Sequence, residues 1–252
     1  MQSSLWISQS AAALYQGFWV ALDWLYPPFC AGCGNPGTLW CPQCQTASNP
    51  IPTNQVCSFC GIPRRNHQTT CARCQKSPPP FIALRSWATF SGPLRKAIHS
   101  LKYQQNMGLG SKLAEHMIVI LNQMNWPIDL IVPMPLSAQR FAERGYNQAN
   151  LLARPIAFAF KTPFTTRALK RIKNTRSQVG LTAADRLANV HGAFEADPGW
   201  VQGKTVLLVD DVATTGATLA ASTQALLTAG AQRVYAITLA RANHKNEDSG
   251  GG

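Results

Sequence analysis

Eight cysteines stand in four CxxC pairs, Cys30/Cys33, Cys41/Cys44, Cys57/Cys60 and Cys71/Cys74, in a stretch with few apolar side chains. A segment this short and this polar cannot close a hydrophobic core alone, so the thiols must supply the cohesion. A CxxC turn places two sulfurs on one side of a tight loop, and two such turns complete a tetrahedral S4 site. Soft thiolates favour zinc, and a site with four protein ligands has no open position, so the metal is structural. Disulfides and an iron–sulfur cluster are the rivals. The apolar N-terminus lacks the positive n-region of a secretory signal, so a reducing compartment and zinc are expected. Sequential pairing groups Cys30, Cys33, Cys41 and Cys44, then Cys57, Cys60, Cys71 and Cys74; cross-braced pairing stays open. His67 lies between the last two pairs and, with eight thiols at hand, reads as a surface residue.

The rest of the chain is organised differently. Residues 1–26 read as an apolar helix, with Leu14, Phe18, Leu22 and Leu25 on one face. Gln9, Gln16 and Asp23 interrupt it well short of the ~18 apolar residues of a membrane span, so docking against the protein is its expected role. Pro27-Pro28 ends it. Residues 27–76 form the cysteine module, "SPPP" at 77–80 a stiff linker, 81–242 a larger domain and 243–252 a polar, disordered tail. Strands are expected at 84–90, 129–135, 204–210 and 232–240. Helices are expected at 93–103, 109–124, 147–160 (bent or split at Pro155), 182–190 (capped by Thr182) and 215–229. Alternating strands and helices give an α/β fold, a parallel sheet with helices on both faces.

The segment "VLLVDDVATTGATL" at 206–219 carries the chemistry. Four apolar residues indicate a strand buried on both faces. Ligands of open α/β sheets bind beyond the carboxyl ends of such strands, where Asp210 and Asp211 are expected. Thr214, Thr215, Gly216 and Thr218 then turn into a helix whose N-terminus can hold a phosphate. A phosphate on the turn and vicinal hydroxyls on the carboxylates describe a 5-phosphorylated ribose. A Walker B strand also ends in acids, but no Walker A loop accompanies it: the only "GKT", at 203–205, leads into a strand.

These fourteen residues resemble the PRPP-binding signature of type I phosphoribosyltransferases. Together with the four CxxC pairs, "PPFCAGCG", "HSLKY" at 99–103, "VPMP", "RFAERGYNQA" at 140–149 and "RSQVGLTAADRLANVHGAF" at 176–194, the chain resembles the ComF family of competence proteins. The resemblance implies a type I phosphoribosyltransferase-like sheet behind a double zinc ribbon. It implies that Asp210 and Asp211 bind ribose hydroxyls, that Ala213 (a position the family varies), Thr214, Thr215, Gly216 and Thr218 surround the 5-phosphate, and that Arg140 and Arg144 face the pyrophosphate. "TRSQVGL" corresponds to a mobile hood. The implied role is DNA uptake in natural transformation, in the cytoplasm near the inner membrane, with single-stranded DNA and a helicase as partners.

Charge points the same way. The net charge is +12, yet residues 1–63 contain no Lys or Arg, so every cation lies from Arg64 onward. The run at 161–176 holds Lys161, Arg167, Lys170, Arg171, Lys173 and Arg176 without an acid. Pyrophosphate needs one or two of these; a longer polyanion such as nucleic acid could use the rest. Only Phe164 interleaves, so base stacking is weakly signalled there. Two other readings stand beside DNA uptake: a phosphoribosyltransferase of nucleotide salvage, with magnesium brought by PRPP, and a PRPP-sensing regulator without turnover. No general base or base-selecting pocket is recognisable, so the catalytic residues are unknown.

Overall fold

The computed structural model describes residues 27–64, 68–173 and 192–242. The N-terminal apolar segment, His67, Arg176, the Thr182 cap and the polar tail lie outside the described residues.

Each cysteine module begins with a short bridge and ends in a short helix: α1 (Pro42–Thr46) follows Cys41, and α2 (Ala72–Lys76) follows Cys71. The larger domain then runs β1 (Ala83–Thr89), α3 (Gly92–Tyr103), α4 (Gly108–Met124), β2 (Leu130–Pro133), α5 (Ala138–Arg144), α6 (Gln148–Phe160), β3 (Leu169–Arg171), β4 (Phe194–Ala196), α7 (Pro198–Val201), β5 (Thr205–Ala213), α8 (Ala217–Thr228) and β6 (Arg233–Arg241). Four strands make a parallel sheet in the order β1-β6-β5-β2, and β3 and β4 form a separate antiparallel pair.

Alternation along the strands sorts the core into two layers. Leu207 and Val209 of β5 join Ile237 and Leu239 of β6 under α3, α4 and α6. Val206 and Leu208 face the other way, toward Leu219 and Leu226 of α8 and toward Leu169 and Phe194 of the small pair. Pro155 does not split α6, which runs through it. The Leu151 carbonyl, deprived of the Pro155 N–H, lies where α4 comes closest: a Cβ on Gly110 would stand 2.7 Å from Leu151 Cβ and 3.1 Å from its oxygen.

Both sheet edges are covered, which removes the exposed ladder groups that invite aggregation. On the β2 side, Ile131 N–H donates to Pro163 O at 2.9 Å and Thr165 N–H to Ile131 O at 3.2 Å. On the β1 side the cysteine module does the covering. Ile51 N–H donates to Trp87 O at 2.8 Å, Thr89 N–H to Asn49 O at 3.2 Å and Leu84 N–H to Phe59 O at 2.6 Å. Among the described residues no helix is long and apolar enough to cross a membrane.

Candidate functional site

Strand β5 extends three residues further than the 204–210 expected from sequence. Asp210 pairs in register with Thr238 and Val212 with Ala240, so the acidic pair lies inside the strand's last turn of pleat rather than beyond it. The apolar run stops at Val209, but pairing with β6 continues, and pairing is what ends a strand. Because successive side chains alternate, the two acids part company. Asp210 continues the row of Val206 and Leu208, and Asp211 the row of Leu207 and Val209. Asp211 therefore meets the helix layer. It forms an ion pair with Lys102 of α3 and accepts a hydrogen bond from Gln148 of α6. Asp210 meets the opposite layer, where Arg171 of β3 approaches.

Both carboxylates line one cavity of about 360 Å³, together with Ala213, Thr214, Gly216, Thr218, Lys102, Arg140, Arg144 and Arg171. Helix α5 delivers two of these cations. Ser137 caps it by accepting from Arg140 N–H at 3.3 Å, and Gly145 ends it at φ 76°. Arg140 and Arg144, four residues apart, thus share one helix face. Arg144 is held by Gln148 Oε1 at 2.9 Å and by the Tyr103 hydroxyl at 3.2 Å. Tyr146 fastens this corner to α3 by donating to Leu101 O at 2.5 Å. Gly216, at φ 81°, is the N-cap of α8, a conformation glycine adopts without penalty. Thr215 turns away from the cavity lining and accepts from Ala217 N–H at 3.3 Å.

The electrostatics of the two acids diverge. Burial pushes the Asp211 carboxyl up, but the Lys102 ammonium more than offsets this and holds it below the usual carboxylate range. Burial, and then the charge on Asp211, push Asp210 well above that range. Arg171 is drawn down by burial and by Arg140, with Asp210 opposing.

Of the basic run, Arg171 enters the cavity lining while Lys170 beside it points to solvent, as alternation in β3 requires. Lys161 sits past the end of α6, beside Pro163 and Phe164 at the opposite end of β2. Arg167 and Lys173 are exposed. The run is thus strung along the sheet edge rather than gathered in one cluster. Sequence reasoning missed Lys102 and Gln148. Lys102 stood inside the quoted "HSLKY", next to the buried Leu101, but only the packing of α3 on β5 shows its partner.

The cysteines form two groups, Cys30/Cys33/Cys41/Cys44 and Cys57/Cys60/Cys71/Cys74, with the four sulfurs of each within 4.8 Å of one another. The pairing is sequential. Backbone N–H groups point at the sulfurs: Cys41 N–H donates to Cys30 Sγ and Cys71 N–H to Cys57 Sγ, each at 3.4 Å. A hydrogen bond from the Cys60 thiol, opposed by burial, brings Cys57 down to about 4. Four clustered sulfurs with backbone donors suit a zinc ion, which supplies folding free energy here.

Residues 21–75 match the double zinc ribbon domain, and residues 100–250 the phosphoribosyl transferase domain. The chain is 33% identical to the DNA utilization protein YhgH of Escherichia coli over 85% of this chain and 97% of that protein. It is 30% identical to competence protein F of Haemophilus influenzae, over 80% of this chain and 90% of the other. It is 27% identical to competence protein ComFC of Bacillus subtilis, over 80% and 83%. The chain therefore carries a double zinc ribbon ahead of a phosphoribosyl transferase domain and belongs to the phosphoribosyltransferase-domain family, with the competence protein F and DNA utilization protein YhgH relatives.

Proposed function

We propose that this protein handles incoming single-stranded DNA in the cytoplasm, beside the inner-membrane uptake machinery, and carries a site for PRPP or another ribose 5-phosphate compound. One observation carries the ribose part: two carboxylates from opposite faces of β5 meet one cavity also lined by four cations and by the Gly216 turn. The turn and Thr218 receive the 5-phosphate, and the carboxylates accept from the ribose hydroxyls. Arg140, Arg144 and Lys102 take the pyrophosphate side, with Arg171 above Asp210. Magnesium would enter with the pyrophosphate. The names of the relatives and the exposed cations Lys161, Arg167, Lys170 and Lys173 support DNA as the second ligand, and a helicase of the uptake machinery fits as the protein partner.

Calorimetry with ribose 5-phosphate and PRPP tests the site. Charge-assisted bonds are worth roughly 1.5–3 kcal/mol each, so Asp210→Asn with Asp211→Asn should weaken binding more than tenfold. Undiminished binding would sink the assignment. Asp210→Asn alone should raise the melting temperature at neutral pH. Its folded carboxyl titrates above its unfolded value, so the ionised form costs stability as pH rises, and Asn removes that cost. Pyrophosphate release with a panel of nucleobases separates turnover in salvage from binding alone. Gel shifts with single-stranded DNA separate both from DNA handling.

A further inference from the structure

Beside the ribose cavity, the first ribbon and α3 enclose an open groove of about 940 Å³. Arg95, Lys96 and His99 of α3 line it, and all three are exposed. Among the described residues no acid lines it, since neither residues 27–64 nor α3 contain one. Among the described residues neither Arg95 nor Lys96 has an acidic partner. One aromatic ring lines it, Phe29, which is 60% exposed; Tyr103, equally exposed, stands behind the groove-lining His99. Tyr103 packs against His99 with ring centroids 4.7 Å apart, and the Arg144 guanidinium lies 4.9 Å from its ring centre. Since Arg144 lines the ribose cavity and His99 the groove, Tyr103 links the two linings by contact. From Arg95 to Lys102 the helix advances roughly 10 Å.

We propose that this groove, rather than the run at 161–173, is the main track for single-stranded nucleic acid. It rests on the reading that the protein handles DNA. Two adjacent cations, Arg95 and Lys96, meet consecutive phosphates. Phe29 offers a ring face that only an unpaired base can stack upon, which selects single strands over duplex. The run at 161–173 has cations but spreads them along an edge, and Arg171 already serves the cavity. Because the groove-lining His99 packs on Tyr103, and Tyr103 holds Arg144, the DNA and ribose phosphate sites adjoin.

The test is fluorescence anisotropy of labelled oligothymidine with the full-length protein across a salt series. Each contacted phosphate contributes about 0.7 to the slope of log affinity against log salt for a single strand. Arg95→Gln with Lys96→Gln should lower affinity and flatten the slope by about 1.4, with zinc content and ribose 5-phosphate binding unchanged. Phe29→Ala should cost about fivefold or more at an unchanged slope, and duplex should compete poorly. Wild-type affinity and slope in Arg95→Gln/Lys96→Gln would overturn the groove. It would leave DNA handling intact, and a loss in Lys170→Gln/Lys173→Gln would then place the track on the edge. Absence of oligothymidine binding by the wild type at low salt would instead overturn DNA handling itself, and the groove with it.

Discussion

In the first ribbon Gly34 N–H donates to Cys30 O at 2.8 Å, and in the second Gly61 N–H donates to Cys57 O at 3.0 Å. Bridges Phe29–Pro36 and Val56–Pro63 repeat the same loop. Beyond these loops the two ribbons part. The first presses an apolar wedge into the helix layer: Trp40 meets Trp87 edge-on at 6.4 Å, Trp87 stacks on His116 at 3.8 Å, and Trp40 Nε1–H donates to His116 Nε2 at 3.2 Å. The second docks through backbone and charge. Arg241, only 2% exposed, donates to Cys60 O at 2.5 Å; burial draws its guanidinium down, and the charge of Cys60, with smaller shares from Cys74 and Cys57, opposes this. Arg85 reaches Ser58 O at 3.0 Å from the neighbouring strand. One metal loop, used twice, is thus attached once by packing and once by electrostatics. The second attachment makes the sheet depend on its metal, because four thiolates and one zinc leave a net charge of −2 against the buried arginine.

The largest effect should follow from breaking that dependence. Metal analysis of the wild type should give two zincs per chain, and Cys60→Ser one. Removing one partner of a buried ion pair costs about 3–5 kcal/mol, so Cys60→Ser should lose at least that in urea unfolding. Cys33, the exposed member of the first set, should cost less as Cys33→Ser although a zinc is lost again. Adding Arg241→Met to Cys60→Ser should recover part of the loss. Equal destabilisation by Cys33→Ser and Cys60→Ser would erase the distinction between the ribbons.

A smaller effect probes the wedge. Trp40→Phe keeps a ring against Trp87 but deletes the indole N–H, leaving the His116 acceptor buried without a donor. An unsatisfied buried polar group costs about 1–3 kcal/mol, and urea unfolding should show a loss in that range with both zincs retained. Loss of the first zinc in this variant would mean that the ribbon is held together by the wedge rather than merely attached by it.

Much of this was legible in sequence because the signals are local. The CxxC spacing sets the metal ligands, and "VLLVDDVATTGATL" sets a strand, a turn and a helix start within fourteen residues. What sequence could not give depends on residues far apart. The expected end of β5 at 210 was read from the loss of hydrophobicity, yet β6 keeps pairing through Ala213. Lys102 and Gln148 look like ordinary helix residues until α3 and α6 pack over β5 and bring them to Asp211. Arg171 belonged to a basic run by composition, and only the pleat of β3 turns it inward. A sequential pairing of cysteines was one of two readings, because spacing alone permits both.

The smallest predicted effect is a pH dependence confined to the first ribbon. Burial holds the His116 imidazole below its usual value of 6.5, with Glu115 opposing. Its Nε2 accepts from Trp40, so the ring proton is on Nδ1 and the imidazole is neutral. Protonation would set an N–H against the indole N–H and place a cation between two tryptophans in a packed core. The unfolded chain takes up this proton near pH 6.5 and the folded one resists it, so stability is full above that pH and falls below it. From pH 6.5 to 5.5 the loss approaches about 1 kcal/mol. His116→Gln keeps an acceptor for Trp40 and removes the titration. The titrations of Asp210 and Asp211 are common to both proteins and cancel in the difference. Unfolding free energies of wild type and His116→Gln should therefore converge as pH falls. A pH-independent difference would show that the wedge tolerates a charged ring, and the first ribbon would no longer be the half of the pair attached by packing alone with one neutral hydrogen bond.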